Sequence, residues 1–127
     1  MAEVDLEDLI ESTMVLEREL VTHETVCRRI LADVRNDVPI GCVLPAVHAD
    51  QWRSALTEAI KRFEQTRHRA RLVLVSMSLD EGMSIAEIAR SWGVSRQLAS
   101  RWVHEATAQP GPGEPPGTGP PAGAYLA

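Results

Sequence analysis

The chain has 127 residues, close to the size of one domain, and its 44% apolar content with one Phe, one Tyr and three Trp implies an aliphatic core with Trp as the large filler, which argues against a β-sandwich. The net charge of −5 would by itself oppose a nucleic-acid partner, because neutralising phosphates needs Lys and Arg. The charge is divided, however: residues 1–50 carry eleven acidic and four basic side chains, residues 51–108 six acidic and nine basic, the pattern of a nucleic-acid-binding segment joined to an acidic partner-facing one.

From Asp5 to Val34 there is no Pro or Gly. Apolar residues recur at three-four spacing through Leu6, Leu9, Leu16, Leu20, Cys27, Ile30 and Val34, with Thr13 and His23 filling the same seam. The spacing predicts one long helix. A second stripe, Ile10, Met14, Val21 and Leu31, widens its apolar face. A wide face suits packing on a globular core and a narrow seam suits a two-stranded coil, so residues 1–35 read equally as a packing helix or as a homodimerisation segment over 5–34.

Pro39, Gly41 and Pro45 break the helical pattern, so residues 36–49 read as a connecting loop whose Val43, Leu44 and Val47 pack down. Asp50 is placed to N-cap a helix with Trp52, Ala55, Leu56, Ala59, Ile60 and Phe63 on one face and Arg53, Glu58, Lys61, Arg62 and Glu64 on the other. The stretch Leu72 to Leu79 has the β propensity of Val73 and Val75 but no second strand to pair with, so it too is expected to be helical, sandwiched between the downstream residues and an N-terminal helix. Gly82 can end it in a left-handed cap.

Residues 84–103 read SIAEIARSWGVSRQLASRWV. Ser84 with Glu87 has capping-box spacing, and Ile85, Ile88, Ala89 and Trp92 follow on one face. Gly93 supplies a residue tolerant of positive φ, Val94 plugs the angle, and Ser95 can cap a second helix whose inward face is Leu98, Ala99, Trp102 and Val103. Ala89 is small where two steeply crossing helices must approach. With Ala89, Gly93, Val94, Ser95, Ala99 and Trp102 in these places, the segment from Ser84 to about Glu105 closely resembles the helix-turn-helix DNA-binding superfamily of bacterial regulators. A weaker similarity links its end to the promoter-reading segment of sigma factors and the DNA-binding ends of recombinases.

The resemblance implies that the recognition helix, residues 95–105, enters the major groove of double-stranded DNA. The base-reading candidates are then Arg96, Gln97, Ser100 and Arg101: Arg pairs bidentately with guanine, Gln with adenine, and Ser serves base or phosphate. Ser84, Ser95, His104, Arg67, Arg69 and Arg71 are the candidates for phosphate or secondary contacts.

Pro or Gly fills eleven of the last nineteen positions, so residues 109–127 are expected to form a disordered tail. The architecture expected is all-α: a long N-terminal helix, a C-terminal helical bundle with the helix-turn-helix over 50–108, and that tail. His23, Cys27, Cys42 and His48 offer a zinc reading, but no close Cys pair supports it, and buried reduced thiols beside ordinary histidines are the simpler expectation. No Gly-rich phosphate loop, His-Glu metal motif or nucleophile elbow occurs, so neither an enzyme nor a cofactor is expected. The absence of a signal peptide's basic opening and of a membrane-length apolar run implies a cytoplasmic protein, nucleoid-associated when bound, with no membrane partner. The alternative function is a helical adaptor, antitoxin-like or sigma-binding, that meets protein instead of DNA.

Overall fold

The computed structural model describes residues 2–108; the expected Pro/Gly tail lies outside the described residues. They form five helices and no strand: α1 Ala2–Arg35, α2 Ile40–Ala46, α3 Ala49–Asp80, α4 Ile85–Trp92 and α5 Arg96–Thr107. This is the all-α architecture expected. Two compact units divide inside α3, between Arg67 and His68.

In the first unit, α1 carries Glu3 and Asp5 in its first turn and Arg35 in its last, matching the helix dipole at both ends. It closes with Asp37 at φ 57: Asp37 N–H bonds the Val34 carbonyl at 3.1 Å and Val38 N–H the Asp33 carbonyl at 3.0 Å, the paired bonds of a Schellman cap. Aspartate is one of the few residues that takes this conformation at modest cost.

The segment expected to be a plain connecting loop contains α2. Pro39 stands at its N-cap, where a missing N–H is harmless, whereas Pro45 lies inside the helix, forfeits the N–H bond to the Gly41 carbonyl, and is followed by only one more helical residue. Val43, 1% exposed, is its inward residue, whereas Leu44 stays 41% exposed and Val47 is half-buried. His48 at φ 51 turns the chain into α3, which starts one residue before Asp50. Asp50 therefore sits inside the first turn and favours the helix through its dipole, not as the N-cap.

α1 and the first part of α3 run antiparallel. Ser12 Oγ hydrogen-bonds Thr66 Oγ1, Glu11 pairs with Arg62 at 3.5 Å, and the His23 ring stacks on Trp52 at 5.2 Å. The buried line of α1 overlaps the expected seam only in part. Ser12 is fully buried and Leu9, Thr13, Leu16, His23 and Ile30 of the seam are half-buried, while Leu6, Leu20, Cys27 and Val34 are exposed. Small residues on the facing helix, Ala59 and Thr66, are buried, and Ala55 and Ile60 are not.

The second unit contains the last turns of α3 with α4 and α5. Leu72, Val75, Ile88, Ala89, Ala99 and Trp102 form its core, flanked by Leu79, Met83, Ile85, Val94, Leu98, Val103 and Ala106. Each large apolar member removed from water contributes about 1.5–3 kcal/mol. Ala89 and Ala99 lack bulk where α4 and α5 cross. The 72–79 stretch is the continuation of one unbroken 32-residue helix. Its Leu72 and Val75 face the core, but Met77 is 44% exposed, so the expected two-sided burial does not extend to that residue. Gly82 takes φ 87 at the end of α3, with Met83 N–H bonded to the Ser78 carbonyl at 3.0 Å.

Candidate nucleic-acid interface

The turn between α4 and α5 is built by local chemistry. Ser84, extended at φ −80 and ψ 163, accepts the Glu87 N–H at 3.2 Å on its Oγ, opening α4. Among the described residues the Glu87 side chain makes no reciprocal bond, so half of the expected capping box is present. α4 closes at Gly93, in the left-handed region at φ 67 and ψ 37. Gly93 N–H bonds the Arg90 carbonyl at 3.3 Å and Val94 N–H the Ala89 carbonyl at 3.0 Å, a second Schellman arrangement. Ser95 then opens α5 by accepting the Leu98 N–H at 3.1 Å. Residues 84–105 are thus two helices, not one rod.

On α5 the inward residues Ala99 and Trp102 are buried, whereas Arg96, Gln97, Ser100, Arg101 and His104 are all exposed on the outer side. Trp102 meets the edge of Trp92 at 5.5 Å and carries the Arg71 guanidinium over its ring at 4.6 Å. These contacts hold the helix from α4 and α3 and fix which face turns outward. Glu105, the one carboxylate of α5, is half-buried and pairs with His68 at 2.9 Å. The outer face of α5 is therefore cationic and polar, with no carboxylate to repel phosphate.

The secondary candidates are distributed unevenly. Ser84 and Ser95 spend their oxygens on caps, but both stand at helix starts. Arg69 is exposed, whereas Arg71 packs on Trp102. Arg67 belongs to the first unit, paired with Glu64 at 3.2 Å and lying over Phe63 at 5.8 Å. Arg90 is an addition: it is exposed on α4. Its position about 200° around the helix from buried Ile88 could have revealed it, since 3.6 residues make one turn.

The four potential zinc ligands do not assemble. His23 Nε2 lies 3.7 Å from Cys27 Sγ, but no group of three or more metal-ligating side chains occurs among the described residues. Both cysteines are exposed and unbridged, not buried as expected. No described helix is long and apolar enough to cross a membrane.

Two buried alanines, Ala89 and Ala99, a left-handed glycine turn and an outward polar second helix make a helix-turn-helix, the architecture of the DNA-binding superfamily. In agreement, residues 64–112 match the family model of the homeodomain-like domain, a stretch that takes in the second half of α3 with α4 and α5. No curated protein and no solved structure matches the chain.

Proposed function

We propose that the protein is a sequence-specific, non-enzymatic transcription regulator of bacterial type that acts in the cytoplasm on nucleoid DNA and sets α5 in the major groove. The observation that carries this reading is the outer face of α5: Arg96, Gln97, Ser100 and Arg101 exposed together on a helix whose orientation is held from behind by Trp102. Arg96 and Gln97, in the first turn, are assigned to base edges, and Ser100 and Arg101 one turn further on to bases or adjoining phosphate. Backbone N–H groups at the starts of α4 and α5, with His104, Arg69 and Arg90, are assigned to phosphates. One helix-turn-helix makes few base contacts, so two copies paired through residues 5–34 would read two half-sites about 34 Å apart.

Selection of bound duplexes from a random pool, followed by mobility shift across a salt series, tests the proposal. A consensus site, affinity falling steeply as salt rises, and loss of binding in Arg96→Ala and Arg101→Ala support it. Failure to shift any duplex at low salt refutes it in favour of the adaptor reading.

A further inference from the structure

Glu105 stands on α5 where its inward and outward faces meet. At 3.6 residues per turn it lies about 60° around the helix from buried Trp102, three residues before it, and about 40° from exposed Arg101, four residues before it. Side chains three and four apart on a helix are neighbours. The carboxylate therefore has two destinations: inward to α3, or along its own helix to the Arg101 guanidinium.

The side chain has gone inward. His68 Nε2 donates to Glu105 Oε2 at 2.9 Å, and the two side chains are only 16% and 29% exposed. A carboxylate without a proton only accepts, so this nitrogen carries its hydrogen whether the imidazole is neutral or charged. Arg71, three residues further along α3, lies over Trp102 at 4.6 Å and makes the adjoining rung between the same two helices. Arg101, by contrast, makes no ion pair among the described residues, although an acid stands one turn away.

We infer that His68 is a positioning residue for DNA binding: by holding Glu105 against α3 it leaves the Arg101 guanidinium available to the duplex. This rests on the reading of α5 as the recognition helix, and it assigns a role to a residue that is not on that helix. Without the His68 donor a half-buried carboxylate loses its hydrogen bond, an unfavourable state that turning toward Arg101 relieves. Arg101 must then break an intrahelical ion pair before it meets DNA, or carry a negative charge in among the phosphates. The first corresponds to about a twofold loss of affinity and the second to about a fivefold loss.

The test measures fluorescence anisotropy of the full chain on the duplex selected from the random pool, at one low salt concentration. His68→Ala is expected to bind about two- to fivefold more weakly than the parent. His68→Gln keeps an N–H the same number of bonds from Cβ and should bind like the parent. Adding Glu105→Gln to His68→Ala should restore parent affinity, because an amide does not neutralise Arg101. In an Arg101→Ala chain, His68→Ala should cause no further loss. These last two results separate positioning from a scaffold role. If His68 only held α5 in place, neither second change would cancel its loss, and the inference falls. It falls equally if His68→Ala binds like the parent, since another group then satisfies Glu105. Should His68→Ala lose helicity by circular dichroism, His68→Leu, which keeps bulk against α3 without a donor, takes its place in the same series. The turn of Glu105 is also read without DNA: the Nε–H resonance of isotope-labelled Arg101 should move in His68→Ala and return in the double variant, and an unmoved resonance overturns the assignment. A parent chain that binds no duplex refutes the DNA reading, and the resonance then decides the His68–Glu105 step alone; a parent that binds while the variants do not follow refutes only this inference.

Discussion

Replacing Gly93 with alanine isolates the conformational part of the helix-turn-helix from its packing. A Cβ built on Gly93 meets nothing within 4 Å, so there is no clash to relieve. What remains is the φ of 67, which costs an L residue about 1–2 kcal/mol. Loss of glycine's freedom in the unfolded chain offsets about 0.4–1 kcal/mol of that. The net expectation is a destabilisation of about 1 kcal/mol, or about 4–8 °C in Tm for a domain of this size. Asparagine, which tolerates the left-handed region, should cost less than alanine. Gly41 provides the control: it is helical, without positive φ, and equally open, so Gly41→Ala should stabilise by about 0.5 kcal/mol. Thermal and urea unfolding followed by far-UV circular dichroism would measure both, and fluorescence would report chiefly on Trp92 and Trp102 for the second unit and Trp52 for the first. Should Gly93→Ala melt like the parent chain, or shift in the same direction as Gly41→Ala, the assignment of the turn to backbone conformation is wrong.

Ser95→Ala should cost about 1 kcal/mol by leaving the Leu98 N–H without its cap, read as a lower urea midpoint with unchanged slope. Arg96→Ala and Arg101→Ala should each weaken binding to the selected site by about 5- to 150-fold, from ~1–3 kcal/mol per base contact, while the melting curve stays in place because both side chains are exposed. An equal loss on specific and random duplex would reassign the residue to phosphate. For Ser12 and Thr66, each hydroxyl has one proton and each also contacts a backbone carbonyl of its own helix, Leu9 and Phe63, so the mutual bond is one of several alternatives. A Ser12→Ala, Thr66→Val cycle should therefore show a coupling of about 0.5–1.5 kcal/mol, and strict additivity would mean that the pair contributes packing alone.

What could be read along the chain was local in its physics. The caps at Ser84 and Ser95 and the left-handed Gly82 and Gly93 depend on side chains and backbone within a few residues, and the inward faces of α4 and α5 follow from 3.6-residue periodicity except at Trp92, which is 39% exposed. The outward set from Arg96 to Arg101 follows from the same periodicity, so the candidate interface is legible in the sequence. The short helix α2 was hidden because Pro39 and Pro45 signal a break; Pro39 proves to be its N-cap, and Pro45, inside the helix, is followed by one more helical residue.

Tertiary structure decided which side of each long helix is buried. Hydrophobicity placed the α1 seam through Leu6, Leu9, Leu16, Leu20, Cys27, Ile30 and Val34; Leu9, Leu16 and Ile30 are half-buried, but Leu6, Leu20, Cys27 and Val34 are exposed and the fully buried residue is Ser12, whose hydroxyl bonded to Thr66 and small neighbours such as Ala59 permit close approach of two antiparallel helices. The engagement of Arg71 with Trp102 and of Glu105 with His68 was equally out of reach, since residues more than thirty positions apart meet only when the helices cross. Periodicity states how many faces a helix has; which one meets a neighbour depends on interhelical fit, and that is a property of pairs of segments, not of either alone.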